Sequence, residues 1–306
     1  SSNTKSAPQH EAKCFRLEET SQKSKTFSFG CSPVTITAEE RSHAKYYNPI
    51  TQQSYNAGDC EGLLVGSQES DARKKMGPPA SRTLGVDVGQ LCVKFNDKTY
   101  VGTGSLIEQN GKIKILTCAH NVYRYEQLSE SYIRTNGGFF YPGCTQDDNP
   151  AEYRITRVHV FPAYLETGNG CIFNGADLAV LEFEVVNQRQ PYQKAEDAWW
   201  GVYRGSDKRL QTKVYGYPGE QERCGDPYQM IGTISEVLTK PKGKILMYRD
   251  IDTTGGQSGS PVLVKRGDCE WTLIAVHVGF GEYEGVKYNI ATLLSDETYK
   301  WVDSLF

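Results

Sequence analysis

Residues 98–121 read KTYVGTGSLIEQNGKIKILTCAHN. Lys98 to Glu108 is a run of β-branched, small and apolar residues, Asn110-Gly111 follows, and Lys112 to Thr117 resumes the apolar pattern. Asn-Gly between two such runs predicts a β-hairpin, because both residues tolerate the positive φ that a two-residue turn requires. Directly past the second strand comes Cys118-Ala119-His120-Asn121, so a histidine sits where the chain leaves the core.

Working outward, the same short-strand pattern recurs. Gln90 to Phe95 precedes the hairpin, and Arg154 to Phe161 and Leu178 to Val185 follow it. Further on come Lys213 to Tyr217, Tyr228 to Leu238, Ile245 to Tyr248, Ser260 to Lys265, Trp271 to Val278 and Lys287 to Ala291. Lys240-Pro241-Lys242-Gly243-Lys244 reads as a basic hairpin turn and His159 as a residue at solvent or at a sheet rim. Trp199-Trp200 is expected to pack on a barrel surface or in a rim loop. Ser295 to Leu305 reads as a terminal helix with Ser295 as its N-cap. Many short strands and little helix predict an all-β chain, as barrels or a sandwich.

Residues 1 to about 85 differ, being rich in Ser, Lys, Gln, Glu and Thr with few apolar runs. They form an extension without a core of its own. Phe27, Phe29, Tyr46, Tyr47 and Tyr55 predict that it packs against the rest.

A formal net charge of −3 over 306 residues gives no field that would draw nucleic acid or an anionic membrane. No run of 18 apolar residues exists, so no membrane span is read. The stretch after Ser1 is polar and decides nothing about compartment. The nine cysteines are widely spaced with no CxxC, which argues against a zinc or redox motif. Their odd number and the lack of an Asn-x-Ser/Thr sequon speak mildly against a disulfide-stapled secreted protein. No cofactor and no metal ligand set are expected.

Three segments carry chemistry. His120 follows an apolar strand, Asp177 opens another in Gly175-Ala176-Asp177-Leu178-Ala179-Val180, and Ser258 lies in Thr253-Thr254-Gly255-Gly256-Gln257-Ser258-Gly259-Ser260-Pro261. A serine hydroxyl is a weak nucleophile that attacks a carbonyl only when an imidazole takes its proton. A buried carboxylate fixes the imidazole's tautomer and stabilises the imidazolium. The developing oxyanion needs donors set in advance, and the glycine-rich loop offers the amides of Gly256 and Ser258. Any one of these residues alone has a plainer reading as a strand histidine, a turn cap or a flexible loop. Together, in the order His, Asp, Ser, they match the chain order of the chymotrypsin arrangement.

The blocks around His120, Asp177-Leu178-Ala179-Val180 and Gly256-Gln257-Ser258-Gly259-Ser260-Pro261 resemble those of the trypsin-like serine protease superfamily. Gly216-Tyr217-Pro218-Gly219, the Thr253 to Val262 stretch and Val276-His277-Val278-Gly279 resemble its glutamyl endopeptidase branch. The resemblance covers about residues 82 to 306. It implies two antiparallel β-barrels of trypsin-like type with a C-terminal helix and an N-terminal extension. The boundaries it implies are 1–85 for the extension, 86–190 for a first barrel carrying His120 and Asp177, and 191–306 for a second barrel carrying Ser258, the specificity pocket and the terminal helix. It further implies a polypeptide substrate cut after Glu or Asp, with Thr253, His277 and Gly279 lining the primary pocket. Oligomeric state and compartment stay open.

Some positions depart from that pattern. Gln257 stands where trypsin-like enzymes carry an aspartate that pairs with a new N-terminus. Gly102 and Asn121 occupy the places of the usual cysteine pair beside the histidine. Cys118 reads as an inert buried thiol. Asp252 falls at the place of a trypsin-like pocket aspartate but reads better as a strand-end residue. Arg73-Lys74-Lys75 suggests a pro-segment 1–75 removed after Lys75, or else a solvated charge run. Two alternatives stand beside the glutamyl endopeptidase: the same fold with trypsin-like or broad specificity, and a non-catalytic binding module.

Overall fold

The computed structural model describes residues 26–29, 34–56, 73–75, 87–146, 150–166, 174–187, 199–204, 210–219, 225–234, 236–266 and 270–306. The first strands, β1 (Thr26–Ser28), β2 (Lys45–Asn48), β3 (Gln53–Asn56) and β4 (Lys74–Lys75), come from the extension, as does helix α1 (Ala38–Ser42). Then follow β5 (Asp87–Phe95), β6 (Lys98–Gln109) and β7 (Lys112–Thr117), and a 3-10 turn at Ala119–Asn121. Next are β8 (Tyr123–Glu126), β9 (Ser131–Arg134), β10 (Gly137–Pro142), β11 (Glu152–Val160), α2 (Pro162–Leu165) and β12 (Ala179–Asn187). The remainder holds β13 (Trp199–Trp200), β14 (Thr212–Gly216), β15 (Tyr228–Gly232), β16 (Glu236–Lys240), β17 (Gly243–Tyr248), β18 (Pro261–Arg266), β19 (Glu270–Tyr283), β20 (Val286–Leu293) and α3 (Asp296–Ser304).

Strands β6, β5, β10, β11, β12 and β7 pair in that order, and β6 pairs with β7, so the six close into an antiparallel barrel. Closure starts at the predicted hairpin: Asn110 (φ 53°) and Gly111 (φ 73°) both take the left-handed turn conformation. The second sheet runs β16-β17-β20-β19-β18-β14-β15-β4, with β13 added in parallel to β19. Leu91, Leu116, Phe140 and Val180 are fully buried in one cluster, and Leu246, Val262, Ile274 and Ala291 in another. The terminal helix starts where expected. Ser295 and Thr298 form its capping box, and Val302 is buried. It docks on the first barrel, where Lys114 Nζ donates to Leu305 O at 2.6 Å and Trp301 meets Phe161 edge-on. The predicted basic turn joins β16 to β17. Trp200 donates its Nε1–H to Glu108 O and packs on Tyr299.

Several expectations need correction. Tyr228 to Leu238 is not one strand but β15 and β16. Between them the Thr233 amide and hydroxyl both donate to the Asp250 carboxylate, which bends the chain. His159 is not at solvent: it is buried and bonds Thr26 of β1 and Glu182 of β12. Strand β10 escaped the sequence pattern because Gly137-Gly138 dilutes it. A Cβ on Gly138 would lie 2.1 Å from Cys92 O, so close strand approach demands that glycine. The extension does pack, as expected, and it also adds strands: β1 pairs with β11, and β2 touches β6 at Lys45 and Tyr100.

Candidate active site

Strand β7 ends at Thr117 and β12 begins at Ala179, and these two residues are register partners. The residues just beyond them, His120 and Asp177, therefore emerge side by side at one rim of the barrel. The His120 amide donates to Asp177 Oδ1 at 3.0 Å, and its Nδ1 bonds Asp177 Oδ2 at 2.6 Å. Both residues are buried, at 1% and 0% exposure. With its two oxygens committed this way, the carboxylate fixes ring and tautomer, leaving Nε2 as the acceptor. Nε2 lies 3.6 Å from Cys118 Sγ. Burial, then the Asp177 charge, pushes the Cys118 thiol well above its usual range, so it stays protonated. Cys118, His120 and Asp177 have ligand atoms within 4.8 Å of one another. Asp177 spends both oxygens on the histidine.

Ser258 sits in a loop that only glycine can shape. Gly256 and Gly259 take φ of 90° and 94°, and a Cβ on Gly259 would come within 1.9 Å of Thr103 O. The first barrel grips this loop. The Thr103 amide and Asn121 Nδ2 both donate to Ser258 O, at 2.9 and 2.8 Å, and Thr103 Oγ1 donates to Gly256 O at 3.0 Å. From the other side, the Gly259 amide donates to His277 O. The Ser258 hydroxyl points to Val278 O at 3.4 Å, and it makes no hydrogen bond to His120 among the described residues. Among those residues the amides of Gly256 and Ser258 have no internal acceptor.

A pocket opens beside Ser258, lined by Thr253, His277 and Gly279. All three of the residues expected there are thus present around it, while the buried Asp252 is not part of its lining. His277 is 2% exposed, and its Nδ1 pairs with the Tyr248 hydroxyl. Burial, and secondarily the neighbouring His120, pushes the His277 imidazole down to about 3, so it is neutral. Thr253 Oγ1 donates to Asn289 Oδ1 at 2.6 Å, and Asn289 Nδ2 donates to Ile251 O. The extension closes the opposite wall: Tyr46, Tyr47, Asn48 and Pro49 line the same pocket. The Tyr47 ring stands 5.8 Å from that of His120.

Sequence reasoning missed Thr103, Tyr248 and Asn289 altogether, and it noted Asn121 only as a departure. Each acts through contacts more than 25 residues away, which no local spacing reveals. Gly102 and Asn121 hold the places of the missing cysteine pair, and they touch. A Cβ on Gly102 would lie 2.6 Å from Asn121 Nδ2, so the small residue makes room for the amide that holds Ser258 O.

A closed six-stranded antiparallel barrel, a second sheet and a short terminal helix make a chymotrypsin-like fold, with the His120–Asp177 pair at the rim of the barrel. The family model of the trypsin-like peptidase domain matches residues 102–276, more than half of the chain, and the chain belongs to that family. No curated protein sequence matches it. A solved Glu endopeptidase in complex with MPD is similar in structure, with TM-score 0.53 and 21% identity over 79% of this chain and 99% of that one. The protease Anisep from Arthrobacter nicotinovorans gives TM-score 0.52 and 15% identity over 76% and 100%. A thermostable serine protease, AL20, from an extremophilic microorganism gives 0.51 and 12% over 72% and 98%. At these identities the likeness is one of fold.

Proposed function

We propose that this peptidase is a serine endopeptidase acting through an acyl-enzyme on Ser258. The observation that carries the reading is the doubly bonded His120–Asp177 pair, whose neighbour Asn121 holds the carbonyl of Ser258 itself. In the reaction the Ser258 hydroxyl leaves Val278 O for His120 Nε2. Its oxygen bonds the scissile carbonyl carbon as the proton passes to Nε2. The oxyanion takes the amides of Gly256 and Ser258, each worth about 100- to 1,000-fold in rate. The C–N bond then breaks, and the imidazolium returns its proton to the leaving amine. Water, deprotonated by His120, hydrolyses the ester by the same steps.

The pocket supports a preference for glutamate, or aspartate, before the scissile bond. Thr253 spends its hydrogen on Asn289, which makes the imidazole of His277 the stronger donor of the two. In the tautomer proposed here the Tyr248 hydroxyl donates to Nδ1, and Nε2 carries the hydrogen that a carboxylate accepts. An incoming carboxylate also offsets the burial that keeps this imidazole neutral.

The test is cleavage of a peptide library by the full chain and by the His277→Gln protein. Cleavage after Glu that loses discrimination in His277→Gln, with acylation largely kept, supports the assignment. A basic or aromatic preference in the unaltered protein rejects it in favour of trypsin-like or broad specificity.

A further inference from the structure

Arg73 belongs to the extension, yet its side chain is 8% exposed and reaches the loop of the nucleophile. Its Nη1 donates to Thr254 Oγ1 at 2.7 Å and to Gln257 Oε1 at 2.9 Å. Gln257 Oε1 also accepts the Thr254 amide at 2.8 Å, and the Gln257 amide donates to Thr254 O. The Gln257 side chain thus folds back over its own turn, and the guanidinium holds it there. Between the two ends of that turn lies Gly256, and directly after it comes Ser258.

Two features hold Arg73 in place. Lys74 and Lys75 form β4, in register with Gln229 and Tyr228 of β15. Lys75 Nζ pairs at 3.1 Å with Asp226, which is buried and also accepts the Gln146 amide. A buried guanidinium is costly unless its donors are used, and a charge-assisted bond is stronger than a neutral one. Gln257 stands where the family pattern has an aspartate, and here a cation from the extension meets a neutral amide oxygen.

We propose that Arg73 is a positioning residue for catalysis, acting through Gln257 to hold the Gly256 and Ser258 amides in the geometry that receives the oxyanion. This rests on the acyl-enzyme reading above. It opposes the expectation of a pro-segment ending at Lys75, because removal of residues 1–75 would discard the guanidinium that steadies the loop. Met76, where the cut product would begin, lies outside the described residues.

The experiment uses the full chain with Arg73→Ala and Arg73→Lys, read by the acylation rate of the burst with a nitrophenyl ester and by the substrate dissociation constant taken from its concentration dependence. Arg73→Ala is expected to slow acylation about 10- to 100-fold, with that dissociation constant changed less than about twofold. Arg73→Lys, which keeps one cationic donor, is expected to recover part of the rate, and millimolar guanidinium is expected to speed Arg73→Ala but not the unaltered protein. If Arg73→Ala folds and acylates at the unaltered rate, the inference is overturned. Should Arg73→Ala fail to melt cooperatively, Arg73→Lys decides, and an undiminished burst in it overturns the inference equally. An unaltered protein that gives no burst overturns the acyl-enzyme reading and this inference together, whereas a burst with no dependence on Arg73 removes this inference alone.

Discussion

The two halves of the site are built in different ways. His120 and Asp177 stand at the ends of neighbouring strands, and the Thr117–Ala179 register delivers them to each other. Ser258 stands on a loop of positive-φ glycines whose carbonyls and side chains are bonded by residues from elsewhere: Thr103 and Asn121 at Ser258 and Gly256, and Arg73 at Thr254 and Gln257. The first half is fixed by backbone pairing, which tolerates many side chains. The second is fixed by particular side chains, each contributing one or two hydrogen bonds worth about 1 kcal/mol net, or more where charge assists. The difference teaches where the molecule can be tuned. On the proposed reaction, a change in the rigid half should abolish the chemistry, and a change in the soft half should adjust its rate.

The largest effect should come from breaking the rigid half. Asp177→Asn removes the acceptor that sets the His120 tautomer, and kcat should fall about 10,000-fold with the fold intact, as read by steady-state kinetics and circular dichroism. Next, Asn121→Ala unties one support of Ser258 O while Thr103 still holds the other. The expected loss in kcat is about tenfold, with a stability loss of about 1–3 kcal/mol in denaturant melts. A loss in Asn121→Ala as large as that in Asp177→Asn would erase the distinction between the halves.

The smallest effect on the chemical step belongs to the pocket, where the change to look for is in stability. In the unfolded chain His277 takes up a proton near its ordinary value of 6.5, whereas in the fold it stays neutral down to about 3. As pH falls through that window the unfolded state binds the extra proton, so His277 makes the fold less stable, by about 1.4 kcal/mol per pH unit. At neutral and higher pH both states hold it uncharged and the effect vanishes. His277→Gln should therefore flatten the fall in stability across this window, measured by urea melts at stepped pH, relative to the unaltered protein.

The same contrast explains what the sequence made legible. Strand ends are visible as the limits of apolar runs, so Leu116-Thr117 and Leu178 to Val185 pointed to His120 and Asp177 and to the barrel between them. The glycine pattern marked the Ser258 loop because the backbone there has no other residue to use. Thr103 gave no such signal: it is one more β-branched residue in a strand, and its two bonds to the loop come from the second sheet folding against the first barrel. Tyr248 and Asn289 are likewise ordinary strand residues until β17 and β20 pair at that register. Arg73 read as part of a charge run, since nothing local shows that one of three basic side chains turns inward.

The proposed activation of Ser258 by His120 is open to chemical labelling. Its most direct measurement is mass-spectrometric mapping of the adduct formed by a reactive fluorophosphonate on the folded full chain, beside the His120→Ala protein. A single adduct on Ser258 is expected, and His120→Ala should form it far more slowly. No adduct on Ser258, or equal labelling with and without the imidazole, would contradict it.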